Sequence, residues 1–459
     1  MAVETLGLDR LVEPGHLTIV VGVQSGDEGK GKLAGLLAPV FDTIASGQGG
    51  PNAGHSLEIE GIGEVDTHLL TAAVAFMGKL CILGNGKLID PLKFQSEKAD
   101  MESKGLSVTP QNVAISSLAH FIKPSDVFRD ASREGGKKAQ GSTKSGIAFS
   151  ASDKTLRVGK RVEEVLKDNP ENLYQFAFES LREAVKARSW RDRLLHHVSN
   201  RRMKAEARTW AEAAAELRPY VVDSVKMVND ILDDGKAVLV EGAQGFWLDP
   251  DHGKWPDVTS TNTTTAGILQ GLGVRPQLVK HVVGVAKLTK SQVGGQPFIT
   301  QIFNEELAAT VRGERGQPGA EYGTTTGRER AVGYFDLVEI ANAIRVDGVT
   351  ELALTKMDCA SRFGESMKVA VAYKHKVTGE EITFAPNTVA ELTEYEPVYV
   401  TVPTWGDISN IRKYEDLPQE AKDFVRLVEQ HLNVPVSIFG VGAKNEEVIV
   451  KPPDSLLAA

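Results

Sequence analysis

A glycine-rich turn between an apolar strand and a helix constrains this chain more than any other feature of its sequence. The apolar run Leu17 to Val21 predicts a buried strand, and leucines at helical spacing predict a helix from Lys30 to Val40. Between the two stands the segment Gly26-Asp27-Glu28-Gly29-Lys30-Gly31-Lys32. Glycines let the backbone approach a phosphate, and a helix N-terminus adds amide donors and a favourable dipole. The segment therefore predicts a phosphate-binding loop.

An acidic pair distinguishes the sequence of this loop from that of the common phosphate loop. The common loop reads G-x-x-x-x-G-K-[ST], whereas here Asp27 and Glu28 precede Gly29. A carboxylate in a phosphate cradle would repel the ligand unless it holds a metal ion or takes a proton. Asp27 is therefore predicted to have a chemical role. The competing interpretation is an ordinary surface loop of an α/β protein.

Composition and charge narrow the class of protein. The chain has 459 residues, of which 41% are hydrophobic, and this is ample for a large core. Its formal net charge of −9 argues against a nucleic-acid partner held by a general basic field. Cys81 and Cys359 are too few for a disulfide framework and too distant for a zinc motif. Without an apolar run long enough for a membrane helix, and without signal-peptide features, the chain is expected in the cytoplasm with no membrane partner.

Strand and helix patterns alternate along most of the chain. They predict an α/β fold with a phosphate-loop-like, mostly parallel central sheet flanked by helices. We expect one large domain over residues 17–450, between an N-terminal extension (1–16) and a C-terminal tail (451–459). Residues 160–232 have a strongly helical pattern and predict a helical insertion.

Three local predictions depend on glycines and polar residues. Phe41 to Ala45 is predicted as a second strand, followed by a glycine-rich loop. The segment LCILGNGKLIDP (80–91) predicts a strand and a turn. Residues Lys123 to Gly159 have few periodic apolar positions and predict a long functional loop.

Set side by side, the motifs of this chain resemble those of the adenylosuccinate synthetase family. They are, in the order in which the family has them, QSGDEGKGK (24–32), GGPNAGHS (49–56), GNG (84–86), VEGAQGFWLDPDHGKWPDVTSTNTTTAG (240–267), GAEYGTTTGRER (319–330) and LTKMD (354–358). The resemblance covers nearly the whole chain, from about residue 17 to 450. One glycine motif would carry little weight, but six in order are strong evidence.

The resemblance implies a GTP-driven ligase that joins L-aspartate to carbon 6 of inosine monophosphate (IMP) through a 6-phosphoryl intermediate. It implies Mg²⁺ as cofactor and a homodimer. Asp27 would be the base that removes the purine N1 proton and also a Mg²⁺ ligand, with the Gly54 carbonyl as another ligand. His55 would donate a proton or hydrogen bond to the transferring phosphoryl group.

The resemblance also assigns binding residues. GTP would contact Gly26, Glu28, Gly29, Lys30, Gly31, Lys32, Arg330, Lys356, Met357, Asp358, Gly440 and Gly442. Asp358 would accept the N1 and N2 hydrogens of guanine, which adenine does not offer in the same way. The aspartate substrate would lie at Thr325, Thr326, Gly327 and Arg328, and IMP at Asn52, Thr143, Gln244 and Thr259.

By the resemblance, the departures from the family pattern lie near the acceptor nucleotide and on the aspartate side of the site. Ser25 replaces a usual tryptophan, Pro51 an asparagine and Ser145 an arginine. The arginine that reaches across the family dimer has no clear counterpart; Lys154 and Arg157 are candidates. Three hypotheses follow: an ordinary member of the family, a synthetase of the same reaction type acting on another purine nucleotide such as dGMP, or a nonenzymatic GTP-binding homologue. Retained Asp27 weighs against the second.

Overall fold

The structure is a computed structural model that describes residues 7–59, 61–135, 142–187, 199–292, 298–317, 319–323, 327, 329–386 and 388–451. Within these residues the strands are β1 (Leu17–Gly22), β2 (Thr43–Gly49), β3 (His55–Ile59), β4 (Gly63–Thr67), β5 (Leu80–Ile89), β6 (Val113–Ser116), β7 (His120–Phe121), β8 (Val221–Val222), β9 (Val238–Glu241), β10 (Val279–Lys287), β11 (Lys290–Gln292), β12 (Ala331–Gly333), β13 (Phe335–Asp336), β14 (Glu351–Thr355), β15 (Ser366–His375), β16 (Glu381–Ile382), β17 (Tyr395–Pro403), β18 (Val436–Gly440) and β19 (Val448–Val450). The α-helices are α1 (Lys30–Leu37), α2 (Pro91–Ser103), α3 (Pro124–Glu134), α4 (Ile147–Thr155), α5 (Glu164–Lys167), α6 (Pro170–Lys186), α7 (Asn200–Glu216), α8 (Ser224–Asp233), α9 (Thr265–Leu272), α10 (Glu305–Arg312), α11 (Leu337–Asp347), α12 (Val389–Leu392) and α13 (Gln419–Leu432).

The central sheet has the strand order β19-β18-β14-β10-β1-β9-β2-β5-β6-β8, and β7 pairs with β5. Its pairings are parallel except that of β18 with β19. Smaller antiparallel units lie beside it: the β3–β4 hairpin, β11 with β12, and β15 with β16 and β17. The predicted fold class, an α/β fold with a mostly parallel central sheet flanked by helices, is confirmed.

The first strand, β1, is fully buried, and its side chains pack on both faces of the sheet. Leu17, Ile19 and Val21 belong to one hydrophobic cluster, and Val20 belongs to the cluster that also contains Leu33 of α1. This is the continuous apolar pattern expected of a parallel strand covered on both sides. Because β10 and β9 flank β1, the loop after β1 opens at the carboxyl ends of all three strands, where α/β sheets bind ligands.

Glycines bring α9 unusually close to β2 and β5. A Cβ on Gly271 of α9 would overlap the carbonyl oxygen of Gly47, and a Cβ on Gly86 would meet the same oxygen. The Gly84-Asn85-Gly86 segment therefore does not interrupt β5, which runs through it from Leu80 to Ile89. Glycine in a strand marks close approach of another backbone, and here it serves helix packing.

The loop predicted over Lys123 to Gly159 is wrong for the described part of that segment, which contains α3 and α4. Several of its charged side chains are buried or half-buried in ion pairs. Asp126 is paired with Arg129 at 2.6 Å, and Asp153 is paired with Arg129 at 2.9 Å and with Lys123. Buried charges of this kind hide the apolar periodicity on which helix prediction depends.

Two other predictions are adjusted or confirmed in part. The second strand runs from Thr43 to Gly49, later than the predicted Phe41 to Ala45, because glycines stay extended inside the sheet.

The helical character of residues 160–232 is confirmed for α5, α6, α7 and α8, with the two-residue β8 among them. Residues 188–198 of the predicted insertion, residues 1–6 of the predicted N-terminal extension and residues 452–459 of the predicted C-terminal tail lie outside the described residues. No helix in the described ranges combines the length and hydropathy needed to cross a membrane.

Gly271→Ala tests the close packing of α9 on the sheet. The added methyl group has no space beside the Gly47 carbonyl, so we expect the free energy of unfolding to fall by about 1–3 kcal/mol or more. Urea denaturation followed by circular dichroism measures the change. Gly406→Ala is the control, since a Cβ there meets nothing within 4 Å. Equal stability of the two variants would contradict the packing argument.

Candidate active site

One cavity of about 510 Å³ gathers most of the predicted site residues. Its walls come from the loop after β1, the loop before β3, and the loops after β9, β14 and β18. The predicted residues that line it are Gly26, Asp27, Glu28, Gly29, Lys30, Gly31, Lys32, Asn52, Gly54, His55, Gln244, Arg330, Lys356, Asp358, Gly440 and Gly442. Segments more than 400 residues apart in sequence thus meet at one place, because their strands end at the same edge of the sheet.

Glu28 fixes the shape of the loop after β1. Its side chain is fully buried, and its Oε1 accepts hydrogen bonds from the backbone N–H groups of Gln24 at 3.2 Å and Gly26 at 2.8 Å. Lys30 donates to its Oε2 at 2.6 Å. Thr355, the last residue of β14, donates to the Glu28 carbonyl at 2.6 Å. In these positions Glu28 acts on the backbone of the loop and on Lys30.

The N-terminus of α1 lies at the floor of the cavity. Gly29 precedes the helix with a φ of 94°, and no side chain caps the first turn, so the first amide groups are available to an anion. A Cβ on Gly31 would lie 2.8 Å from the Cβ of His55. Glycine at position 31 therefore lets His55 pack directly against the first turn.

Asp27 lies at the rim of the same loop. It has a φ of 57°, a conformation that is uncommon for residues other than glycine. Its side chain is 42% exposed, and its carboxylate is paired with Arg330, whose own side chain is only 6% exposed. The second arm of the Arg330 guanidinium donates to Glu321 at 3.1 Å. Arg330 thus links the loop after β1 to the segment before β12.

His55 is held by a buried carboxylate that the sequence predictions did not include. Its Nδ1 is paired with Oε1 of Glu241, the last residue of β9. Glu241 is 1% exposed, and its Oε2 accepts the backbone N–H of Ala72 at 2.8 Å. With Nδ1 engaged by Glu241, the other ring nitrogen of His55 is left for a ligand. This histidine–carboxylate pair resembles the arrangement that orients catalytic imidazoles.

Two amide side chains in the cavity have buried atoms that are suited to a polar ligand. Both amide atoms of Gln244 and the Oδ1 of Asn52 are buried without a hydrogen-bond partner among the described residues. Gln244 also has a φ of 65°. Buried polar groups are nearly always paired in folded proteins, so these atoms fit a site whose ligand supplies the partners.

The cavity wall also contains a partly buried acidic group, Asp358, and a lysine, Lys32. Burial raises the pKa of Asp358, and the positive charge of Lys32 opposes that rise. Lys32 donates to the carbonyl oxygens of Gly442 at 2.6 Å and Glu447 at 2.9 Å, which fixes the turn after β18 against α1. Burial lowers the pKa of Lys32 to about 8.

Four predicted residues lie away from the cavity wall. Met357 is fully buried beneath it. Thr143 donates to Ser145 at 2.9 Å in the segment before α4, Thr259 donates its backbone N–H to Leu248, and Gly327 donates its own to Gly323. The predicted aspartate-binding residues Thr325, Thr326 and Arg328 lie outside the described residues. The roles assigned to all these residues stay predictions.

Glu241 and Glu321 are buried acids in contact with cavity residues that the sequence did not predict. Each is a single glutamate within an otherwise apolar or glycine-rich motif, VLVEGAQ and GAEYG. An acid directly after a buried strand was the available signal for Glu241, because strand ends in parallel sheets carry functional groups. For Glu321 the sequence offers no comparable signal, since its partners come from three other segments.

The fold and the cavity define a nucleotide-binding α/β protein with a phosphate loop after its first strand. Comparison with known families then identifies the group: the family model described as adenylosuccinate synthetase matches residues 19–449. The chain belongs to the adenylosuccinate synthetase family. The predicted resemblance is confirmed, and with it the class of enzyme, a ligase that forms a carbon–nitrogen bond.

Individual relatives agree over nearly their whole length. Adenylosuccinate synthetase from Bacillus licheniformis is 37% identical over 435 residues, which cover 94% of this chain and 97% of the relative. The enzyme from Listeria innocua is 38% identical over 430 residues, covering 92% of this chain and 95% of the relative. The chain is therefore similar to bacterial synthetases over more than nine tenths of its length.

Two solved structures share the fold. The fully ligated adenylosuccinate synthetase from Plasmodium falciparum superposes with a TM-score of 0.85 at 31% identity, covering 95% of this chain and 100% of that one. The succinoaminodeoxyadenylate synthetase of cyanophage S-2L, bound to dGMP and to dATP as an energy donor, has a TM-score of 0.60 at 19% identity, with 95% of each chain covered. The second likeness shows the fold alone.

Glu241→Gln tests the histidine–carboxylate pair. Glutamine keeps the size of the side chain but removes the charge that orients His55, so we expect kcat to fall about tenfold or more with little change in KM for GTP. Steady-state kinetics of phosphate release measure both constants. Glu58→Gln, an exposed glutamate in the β3–β4 hairpin, is the matched control. A kcat equal to that of the wild-type protein would show that Glu241 has no role in orienting His55.

Proposed function

We infer that this protein is a GTP-dependent ligase that joins L-aspartate to C6 of IMP to form adenylosuccinate in purine nucleotide biosynthesis. One observation carries this conclusion. A single cavity holds a phosphate loop with a partly exposed carboxylate, a histidine held by a buried glutamate, and the acidic group of Asp358. Family membership over residues 19–449 supports the same reaction.

The first step requires a base and a group that stabilises a transferring phosphoryl. We assign Asp27 as the base that takes the N1 proton, so that the 6-oxygen of the purine attacks the γ-phosphorus and GDP departs. The ring nitrogen of His55 that does not face Glu241 would donate a hydrogen bond to the phosphoryl oxygens. The amine of aspartate then attacks C6 and phosphate leaves. A poor leaving group, the lactam oxygen, has in this way become a good one.

The residues at the loop fit a Mg²⁺ ion bound together with phosphates. Mg²⁺ in nucleotide enzymes is commonly held by one or two carboxylates, with phosphate and water oxygens completing the octahedron. Asp27, with its partly exposed carboxylate, and Gly54 line the same cavity and would hold it. When bound, the ion neutralises phosphate charge. Asp27 is paired with Arg330, so an incoming phosphate that attracts Arg330 would release the carboxylate for its own role.

The nucleotide assignments divide among the residues that line the cavity. Gly29, Lys30 and Gly31 at the start of α1 would bind phosphates, and Asp358 would accept the guanine hydrogens. The unpaired amides of Gln244 and Asn52 would contact IMP. Thr143, Thr259, Gly327 and the three undescribed residues of the threonine-rich loop remain proposals for IMP and aspartate. The single domain over 17–450, the homodimer and the cytoplasmic location likewise remain predictions.

The other two hypotheses have less support. A guanine-nucleotide acceptor would be expected to accompany loss of Asp27, and the solved structure bound to dGMP is only 19% identical to this chain. A nonenzymatic homologue would have no need of the buried Glu241 that holds His55.

The direct test is phosphate release by the purified protein with GTP, Mg²⁺ and aspartate, with IMP, dIMP, GMP and dGMP added in separate reactions. We expect turnover with IMP, adenylosuccinate by mass spectrometry, and no turnover after chelation of Mg²⁺. Faster turnover with GMP or dGMP than with IMP would show that the acceptor is a guanine nucleotide and not IMP. GTP binding without acceptor-dependent turnover with any of the four would contradict a ligase.

Asp358→Asn tests guanine recognition. An amide cannot accept two guanine hydrogens as a carboxylate does, so we expect KM for GTP to rise about 10-fold to 100-fold. KM for ITP should rise less, because inosine lacks the 2-amino group. Initial rates with each nucleotide measure the difference, and Asp416→Asn, an exposed aspartate, is the control. Equal changes for GTP and ITP would show that Asp358 does not read the 2-amino group.

A further inference from the structure

A fully buried glutamate joins four side chains behind the cavity. Oε1 of Glu321 accepts from Lys356 at 2.5 Å. Its Oε2 accepts from Lys287 at 3.0 Å, from Ser291 at 2.6 Å and from Arg330 at 3.1 Å. Glu321 and Lys287 are both 0% exposed. Glu321 does not line the cavity, although its neighbours Ala320 and Tyr322 do.

The charges of this group depend on Glu321. Three cations surround one carboxylate, and an unpaired charge is very costly to bury. Burial alone would raise the pKa of Glu321, but the positive charges of Lys287, Lys356 and Arg330 hold it well below its usual range. The carboxylate is therefore ionised and attracts all three cations at once.

Two of these cations, Lys356 and Arg330, line the cavity and belong to different segments of the chain. Lys356 has a φ of 57° and stands two residues before Asp358. Arg330 reaches the other way and pairs with Asp27. The carboxylate of Glu321 thus fixes both Lys356, which is close in sequence to Asp358, and Arg330, which contacts the phosphate loop.

The third cation ties the same carboxylate to the loop after β1. The backbone of Lys287 forms two hydrogen bonds with the side chain of Gln24: its N–H donates to Oε1 at 3.0 Å, and its carbonyl accepts from Nε2 at 3.2 Å. Gln24 in turn donates its backbone N–H to Glu28. A chain of direct contacts therefore runs from Glu321 to the carboxylate that shapes the phosphate loop.

We propose that Glu321 is a positioning residue for nucleotide binding: without touching GTP, it holds Lys356 and Arg330 at their places on the cavity wall. The inference rests on the proposed function in taking GTP as the nucleotide. It predicts that the spacing between these cations, and not only their charge, sets the affinity.

Glu321→Gln is the first variant to measure. Glutamine can accept far less from three cations, so Lys356 and Arg330 should shift, and we expect the Kd for GDP and the KM for GTP to rise about tenfold or more. kcat at saturating GTP should change less than threefold. Calorimetry with GDP and Mg²⁺ gives the Kd without any need for ligase turnover, so weaker GDP binding would support the inference even if no acceptor were used.

Glu339→Gln is the matched control. Glu339 is also 0% exposed and pairs with two buried lysines, Lys254 and Lys290, but it does not line the nucleotide cavity. Its loss should lower the melting temperature as much as the loss of Glu321 while leaving the Kd for GDP within twofold of the wild-type value. Equal Kd values for the wild-type protein and a folded Glu321→Gln variant would overturn the proposal.

Glu321→Asp separates position from charge and serves if the glutamine variant does not fold. Aspartate keeps the negative charge but is one methylene shorter, so it cannot reach Lys356 and the three donors to Oε2 together. Positioning predicts a weaker Kd for GDP, again by about tenfold. A wild-type Kd in this variant would show that Glu321 only balances charge, and the proposal would fail.

Discussion

The buried carboxylate of Glu28 is the interaction on which the nucleotide site depends. A chain that leaves a parallel strand and must enter a helix within seven residues has several amide groups to satisfy. Glu28 accepts two of them and binds Lys30, and its own carbonyl accepts Thr355 from two strands away. The loop is therefore shaped by the protein itself before any phosphate arrives. A preorganised loop loses less conformational freedom on binding than a mobile one.

Around the cavity, buried acidic side chains repeatedly hold basic side chains in place. Glu28 holds Lys30, Glu241 holds His55, and Glu321 holds Lys356 and Arg330. In each case the acid is almost fully buried, and the base reaches the wall of the cavity. Such pairs cost desolvation energy and are weak evidence of stability on their own. Their common arrangement around one cavity indicates that they serve the geometry of the site.

The sequence predicted the contiguous parts of this protein well and the distant contacts poorly. The strand, loop and helix around Asp27 are local, and the family's motifs kept their order, so fold class and family were predicted correctly. The partner of His55 is 186 residues away, and no pattern in one sequence reports such a contact. Helices α3 and α4 were missed because Asp126 and Asp153 are buried in ion pairs, which gives core positions a polar appearance.

The left-handed backbone at three cavity residues has a consequence for how this protein can be engineered. Asp27, Gln244 and Lys356 all have φ between 57° and 65°, a region that favours glycine and costs other residues of the order of 1 kcal/mol each. At Gln244, whose side-chain amide has no hydrogen-bond partner among the described residues, selection for heat resistance alone would favour glycine and so remove a polar side chain from the cavity wall. Asp27 and Lys356 differ, because each is paired with a buried charge that would lose a partner. A variant selected only for thermal stability would then remain folded after heating but lack a polar group of its cavity. Directed evolution of this chain should therefore select for turnover as well as heat resistance in every round.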